Sequence, residues 1–136
     1  MTTLAQVRDG LKTRLDTIDG LRVYKYLPDD AGYPAALISR NPIINYGESL
    51  GYGSTLHATF RIILLVPANV DRQQLDLYPF LELTGTQSIP ALIDADHTLG
   101  GLAADARVVE ADDVDLARMG LTNLYGTAVN VFVIIS

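Results

Sequence analysis

Thr55-Leu56-His57-Ala58-Thr59-Phe60-Arg61-Ile62-Ile63-Leu64-Leu65-Val66-Pro67 is the stretch that decides the fold of this chain. Successive side chains of a strand point to opposite faces of a sheet. Leu56, Ala58, Phe60, Ile62, Leu64 and Val66 therefore form one continuous apolar face. Thr55, His57, Thr59 and Arg61 open the other face as polar, and Ile63 and Leu65 close it as apolar. This spacing predicts a long strand that begins half exposed and ends buried on both sides. Pro67, which has no N–H to give to a ladder, ends it.

Upstream, Leu4, Val7, Leu11, Leu15 and Ile18 recur at three- and four-residue steps, one apolar stripe of a helix. Thr2 or Thr3 can cap its start and Gly20 can stop it. Gly10 interrupts the pattern at a cost in helix stability. Arg22 to Tyr26 is rich in strand formers, and Pro28, Asp29, Asp30 and Gly32 mark a turn. Pro34 opens a second strand, Ala35 to Ser39. Asn41 to Ser54 is ambiguous: glycines at 47, 51 and 53 break every period, yet Ile43, Ile44, Tyr46, Leu50 and Tyr52 are large.

Downstream, Asp71 to Leu83 has helical spacing, with Pro79 kinking it or dividing it and Gly85 ending it. Ser88 caps a short helix from Ile89 to Asp94, with Pro90 in its first turn. Asp96-His97-Thr98-Leu99-Gly100-Gly101 is a turn, leading to a strand from Arg107 to Ala111. The alternation changes phase there, with Asp112 and Asp113 at the change, which predicts a bulge or bend. A loop from Arg118 to Tyr125 precedes a last strand with Val129, Val131, Val133 and Ile135 on one face. That strand runs to Ser136, so the terminus is expected to pack in a sheet. Strands grouped in this way predict an α+β fold: a mostly antiparallel, or mixed, sheet of about five strands, with an N-terminal helix and a central helix pair packed on it.

Composition narrows the function classes. The 136 residues suit one domain spanning 1–136, with 49% apolar and 19% charged residues, a globular balance. The modest charged share hints at surface buried against other subunits. No cysteine is present, which excludes disulfides, thiolate catalysis and thiolate-bound metals. The start lacks the basic and apolar segments of a signal peptide, and the longest apolar runs fall far short of a bilayer span of about 20 residues. The expected setting is a cytosol or something assembled in one. Net charge is −6 and uneven. Residues 1–68 carry seven basic and six acidic side chains, whereas residues 69–136 carry three and ten. A basic surplus that would grip nucleic acid is missing.

Candidate chemistry is sparse. His97 lies near Asp94 and Asp96, so a ligand- or metal-binding cluster competes with a polar turn in which Asp96 accepts backbone N–H bonds. The turn is favoured. Glu110, Asp112, Asp113 and Asp115 form an acidic run, read as a solvated sheet face, as paired acid–base carboxylates or as the negative lining of a pore. No nucleophile motif, phosphate loop or zinc motif occurs. The large residues outside any pattern are Tyr46, Leu50 and Tyr52 in the glycine-rich segment, and Leu121, Leu124 and Tyr125 before the last strand. Tyrosine is enriched where surfaces bury against partners, so these six are candidate interface residues. Packing beneath their own loops is the alternative.

Several segments together resemble the tail terminator proteins of long, non-contractile-tailed phages and related tail-completion and neck proteins. They are the N-terminal helix leading to Tyr33-Pro34-Ala35-Ala36-Leu37-Ile38, the strand Phe60 to Val66 with the following Leu75, Tyr78 and Leu81, the run from Ser88-Ile89-Pro90-Ala91-Leu92 through Gly100-Gly101 to Asp105 and Val108, and the strand after Tyr125-Gly126. The resemblance covers nearly the whole chain through structural motifs. It implies a virion protein without catalytic residues or cofactors, located at the head-proximal end of the tail. Such proteins form a ring, commonly a hexamer, that caps the tail tube, ends its polymerisation and presents a surface to the head. The implied partners are other copies of the chain, the major tail tube protein and a head–tail connector protein. DNA passes through without specific binding, and no membrane is involved. In a ring of acidic subunits, Glu110, Asp112, Asp113 and Asp115 become candidates for the channel lining, repelling DNA within a Debye length of about 8 Å. A head-closure or head–tail adaptor protein is the alternative within this resemblance, and a small ligand- or metal-binding domain the alternative outside it.

Overall fold

The structure is a computed structural model that describes residues 3–18, 20–24, 34–39, 42–45, 56–67, 78–113 and 124–135. The quoted stretch forms the central strand, β4 (Leu56–Pro67), and the architecture grows from it. Strand β6 (Leu124–Ile135) lies antiparallel to β4 along its whole length, from Leu56↔Ile135 to Pro67↔Leu124. On the other side of β4 sit two short antiparallel strands, β2 (Ala35–Ile38) against Ile62 to Leu65 and β3 (Ile43–Asn45) against His57 to Thr59. Strand β1 (Arg22–Tyr24) pairs with β2 in parallel, and β5 (Asp105–Asp113) pairs antiparallel with β6. The sheet order is β1-β2-β4-β6-β5, with β3 beside β4. The protein is therefore α+β with a mostly antiparallel sheet of six strands, the fold class the sequence predicts.

Helix α1 (Leu4–Leu15) begins at Thr3, whose hydroxyl accepts from the Gln6 backbone N–H while the Gln6 side chain accepts from the Thr3 N–H. Its apolar stripe buries Val7, Leu11 and Leu15. The helix ends at Leu15, ahead of Gly20, and Ile18 is buried in the turn that follows. Gly20 itself has φ of +83°, the left-handed conformation its position suggested. Helices α2 (Tyr78–Leu81) and α3 (Ile89–Ala95) add Phe80, Ile89 and Ile93 to the same core. Ser88 caps α3, accepting from Ala91 N–H and donating to the Glu82 carbonyl. Of the helix expected over 71–83, only Tyr78–Leu81 is helical among the described residues, and Pro79 sits in its first turn.

The three described helices pack on one face of the sheet, the inner face. Leu56, Phe60, Ile62, Leu64 and Val66 of β4 meet Val129, Val131, Val133 and Ile135 of β6 there. The opposite, outer face carries a separate small cluster of Ala35, Ile63 and Leu65, flanked by Tyr24 and Leu37. The predicted switch from polar to apolar along the second face of β4 is thus real.

Several details differ from the sequence expectations. Ile43–Asn45 is a strand inside the segment that has no period, because three residues are too short to show one. The strand expected over 107–111 runs from Asp105 to Asp113. Its phase change lies at Val109, between Val108↔Val131 and Glu110↔Asn130, and not at Asp112 and Asp113. Val108 and Val109 are both apolar, so composition alone does not say which one is extra.

Candidate interaction face

Register places the outer-face residues of β4, β6 and β5. From β4 come His57, Thr59, Arg61, Ile63 and Leu65. Their β6 partners are Ile134, Phe132, Asn130, Ala128 and Gly126. From β5 come Asp105 and Arg107 before the bulge and Glu110 and Asp112 after it, because the extra residue shifts the parity by one. The acidic pair Glu110 and Asp112 thus stands on the outer face beside Arg61 and Asn130.

These four side chains form two bonded pairs. Asn130 Nδ2 donates to Glu110 Oε1 at 3.1 Å, and Arg61 Nη2 donates to Asp112 Oδ1 at 3.1 Å. Arg61 and Asn130 are cross-strand partners in the middle of the row. Asn130 is buried, only 7% exposed, and its Oδ1 has no hydrogen-bond partner, as is also true of the buried Nε of Arg61. The two carboxylates are exposed, so the row runs from a buried amide outward to a negative rim at the edge of the sheet. Thr127 Oγ1 donates to the Asp112 carbonyl and ties the same rim to β6. His57 meets Phe132 edge-on at 5.6 Å at the far end of this face.

Asp113 pairs with Thr127 in the ladder, and its side chain is outside the described set, as is all of Asp115. Leu124 and Tyr125 belong to β6, opposite Pro67 and Val66, and not to the loop the sequence suggested. Tyr46, Leu50, Tyr52 and Leu121 lie outside the described residues. Sequence reading missed Arg61 and Asn130 as members of the row. Asn130 carried a signal, a lone amide in the apolar run Val129-Asn130-Val131, but its neighbours follow only from the register.

The glycine turn makes the bonds expected of the polar turn. Asp96 Oδ2 accepts from the Gly100 N–H at 3.0 Å, and its Oδ1 accepts from Thr98 Oγ1 at 3.0 Å. His97 Nδ1 lies 3.2 Å from Asp105 Oδ1, an exposed pair that does not include Asp94 or Asp96. Among the described residues no three His, Asp or Glu side chains are grouped to hold a metal ion. Leu99, Gly100 and Gly101 have φ of 53°, 74° and 91°, three left-handed residues in a row. This turn presses against α1 at Gly10, where a Cβ would lie 2.7 Å from Leu102 Cδ1. The glycine that weakens the helix is the one that admits the turn.

Against known proteins, no family model matches the chain and no curated protein matches it.

Proposed function

We propose that this protein is a structural component of a phage tail that assembles into a ring on the tail tube, ends tube growth and presents a docking surface to the head. It assembles and does not catalyse. The observation that carries the reading is the one-sided sheet. Among the described elements every helix packs on the inner face, while the outer face ends in a polar row and an acidic rim. A face built from a sheet is rigid, because its position is set by paired strands and not by loops, and rigidity suits a part that must match a tube end. The net charge of −6 suits a subunit placed around a DNA path, since net negative charge repels phosphates and lets the duplex slide. The order of helix, strands, glycine turn and closing strand along the chain is the resemblance itself, and it supports the same class.

The test is tube length. Purified chain added to polymerising tail tubes is expected to shorten them and to appear as a ring at one end in electron micrographs. A phage lacking the protein is expected to make overlong tails. Tails of normal length that fail to join heads would replace this reading with a head–tail adaptor.

A further inference from the structure

We infer that copies of the chain join edge to edge, the β1 edge of one copy against the β5 edge of the next, with Arg22 set beside Glu110 and Asp112 of its neighbour. This rests on the ring reading and specifies its subunit contact. Strands β1 and β5 end the sheet order among the described elements, and an edge strand can take a further strand as partner. The two edges differ in charge. Arg22 is exposed and has no charged partner among the described residues. At the other edge the outer face of β5 carries Asp105, Arg107, Glu110 and Asp112, three acids and one base, with Asp112 already bonded to Arg61 and Glu110 to Asn130.

The faces match as well. Arg22 pairs with Ala35, which pairs with Leu65, so Arg22 stands on the outer face. Glu110 and Asp112 stand on the same face through Asn130 and Ala128. If the sheet continues from one copy to the next, strands about 4.8 Å apart place these side chains side by side. On the inner face, Val23 then approaches Ala111, which is exposed in the single chain although its parity is that of the core. Exposed Val109 and Leu83 add apolar surface near this edge. An unlike, head-to-tail contact repeated by rotation closes a ring.

The chain has no cysteine, which makes a crosslinking test clean. Arg22→Cys and Asp112→Cys in one chain lie four strand spacings apart, about 19 Å, too far for an internal disulfide, whose Cα atoms must approach within about 7 Å. Mild oxidation of the double variant is expected to give a ladder of covalent multimers that ends at one size and collapses on reduction. Arg22→Glu is expected to weaken association roughly tenfold, with recovery when Asp112→Arg is added. Three results would overturn the inference. One is a double variant that forms rings by light scattering yet stays monomeric on a non-reducing gel; the ring reading then stands and this contact does not. Another is efficient dimer formation by Asp112→Cys alone, which reports β5 against β5. The last is a wild-type chain that is monomeric at every concentration and leaves tube length unchanged, which removes the ring reading and this contact together.

Discussion

Leu64 and Leu65 are neighbours in β4, both fully buried, and they serve different faces of the same sheet. Leu64 belongs to the core shared by three helices and the inner sides of the strands. Leu65 belongs to a cluster whose buried members, among the described residues, are Ala35, Ile63 and itself. Burial alone therefore does not rank them, because the cost of a hole depends on how far its surroundings can collapse. The inner face is held from both sides by regular elements. The outer face is held at its apolar end by a few side chains and turns polar within two residues, at Arg61.

The sharpest way to break this contrast is a matched pair of truncations. Leu64→Ala is expected to cost about 3–5 kcal/mol and Leu65→Ala about 2–3 kcal/mol, both read by denaturant unfolding. Equal losses would mean the outer cluster is sealed as firmly as the core, and the picture of a lightly covered outer face would fall.

A second contrast concerns the α1 contact with the glycine turn. Gly10→Leu is expected to destabilise by about 1–3 kcal/mol, because a larger side chain must displace Leu102 and press on Leu99. Gly10→Ala is milder. Its Cβ meets only the movable end of Leu102 closely, and alanine restores about 1 kcal/mol of helix propensity. Its net effect is expected within about 1 kcal/mol of zero in a thermal melt. A large loss for alanine would show that the turn cannot yield at all.

The sequence made the inner face legible because both of its periods are long. The stripe from Leu4 to Ile18 and the alternation from Leu56 to Val66 each repeat often enough to be counted. The cap at Ser88 and the stop at Pro67 are local chemistry and follow from single residues. The outer face resisted for the opposite reason. Ile43–Asn45 is too short to show alternation, and the bulge at Val109 sits between residues of equal hydrophobicity. The acidic run was visible, but its link to Arg61 spans 51 residues and depends on two ladders at once. Leu124 and Tyr125 looked like loop residues because the turn chemistry of Gly120 and Asn123 masks the start of the strand.

The polar row gives two smaller effects. The Arg61–Asp112 pair is substantially exposed, with side chains 34% and 51% accessible, so a double-mutant cycle with Arg61→Ala and Asp112→Ala is expected to return a coupling below about 1 kcal/mol. Adding 0.5 M salt, on the order of a few times the physiological level, is expected to reduce it further. A coupling above about 2 kcal/mol would mean the pair is shielded from water and acts as part of the fold.

The smallest expected effect is the most informative about why the row exists. Asn130 is a buried amide with one oxygen unpaired, next to a buried Arg61 nitrogen that is also unpaired. A buried polar atom without a partner costs about 1–3 kcal/mol, so this residue brings little net stability. Asn130→Val removes the orphan oxygen and places a good strand former in the middle of β6. Glu110 loses its amide donor but is exposed and can turn to water. The expected change is within about 1 kcal/mol, or a slight gain, by denaturant unfolding. A loss above about 2 kcal/mol would make the amide a structural bond after all. If stability holds while ring formation weakens, the row serves the acidic rim: without Asn130 Nδ2, Glu110 is no longer held in place beside Asp112, and the surface offered to the next copy loses its fixed pattern of charge.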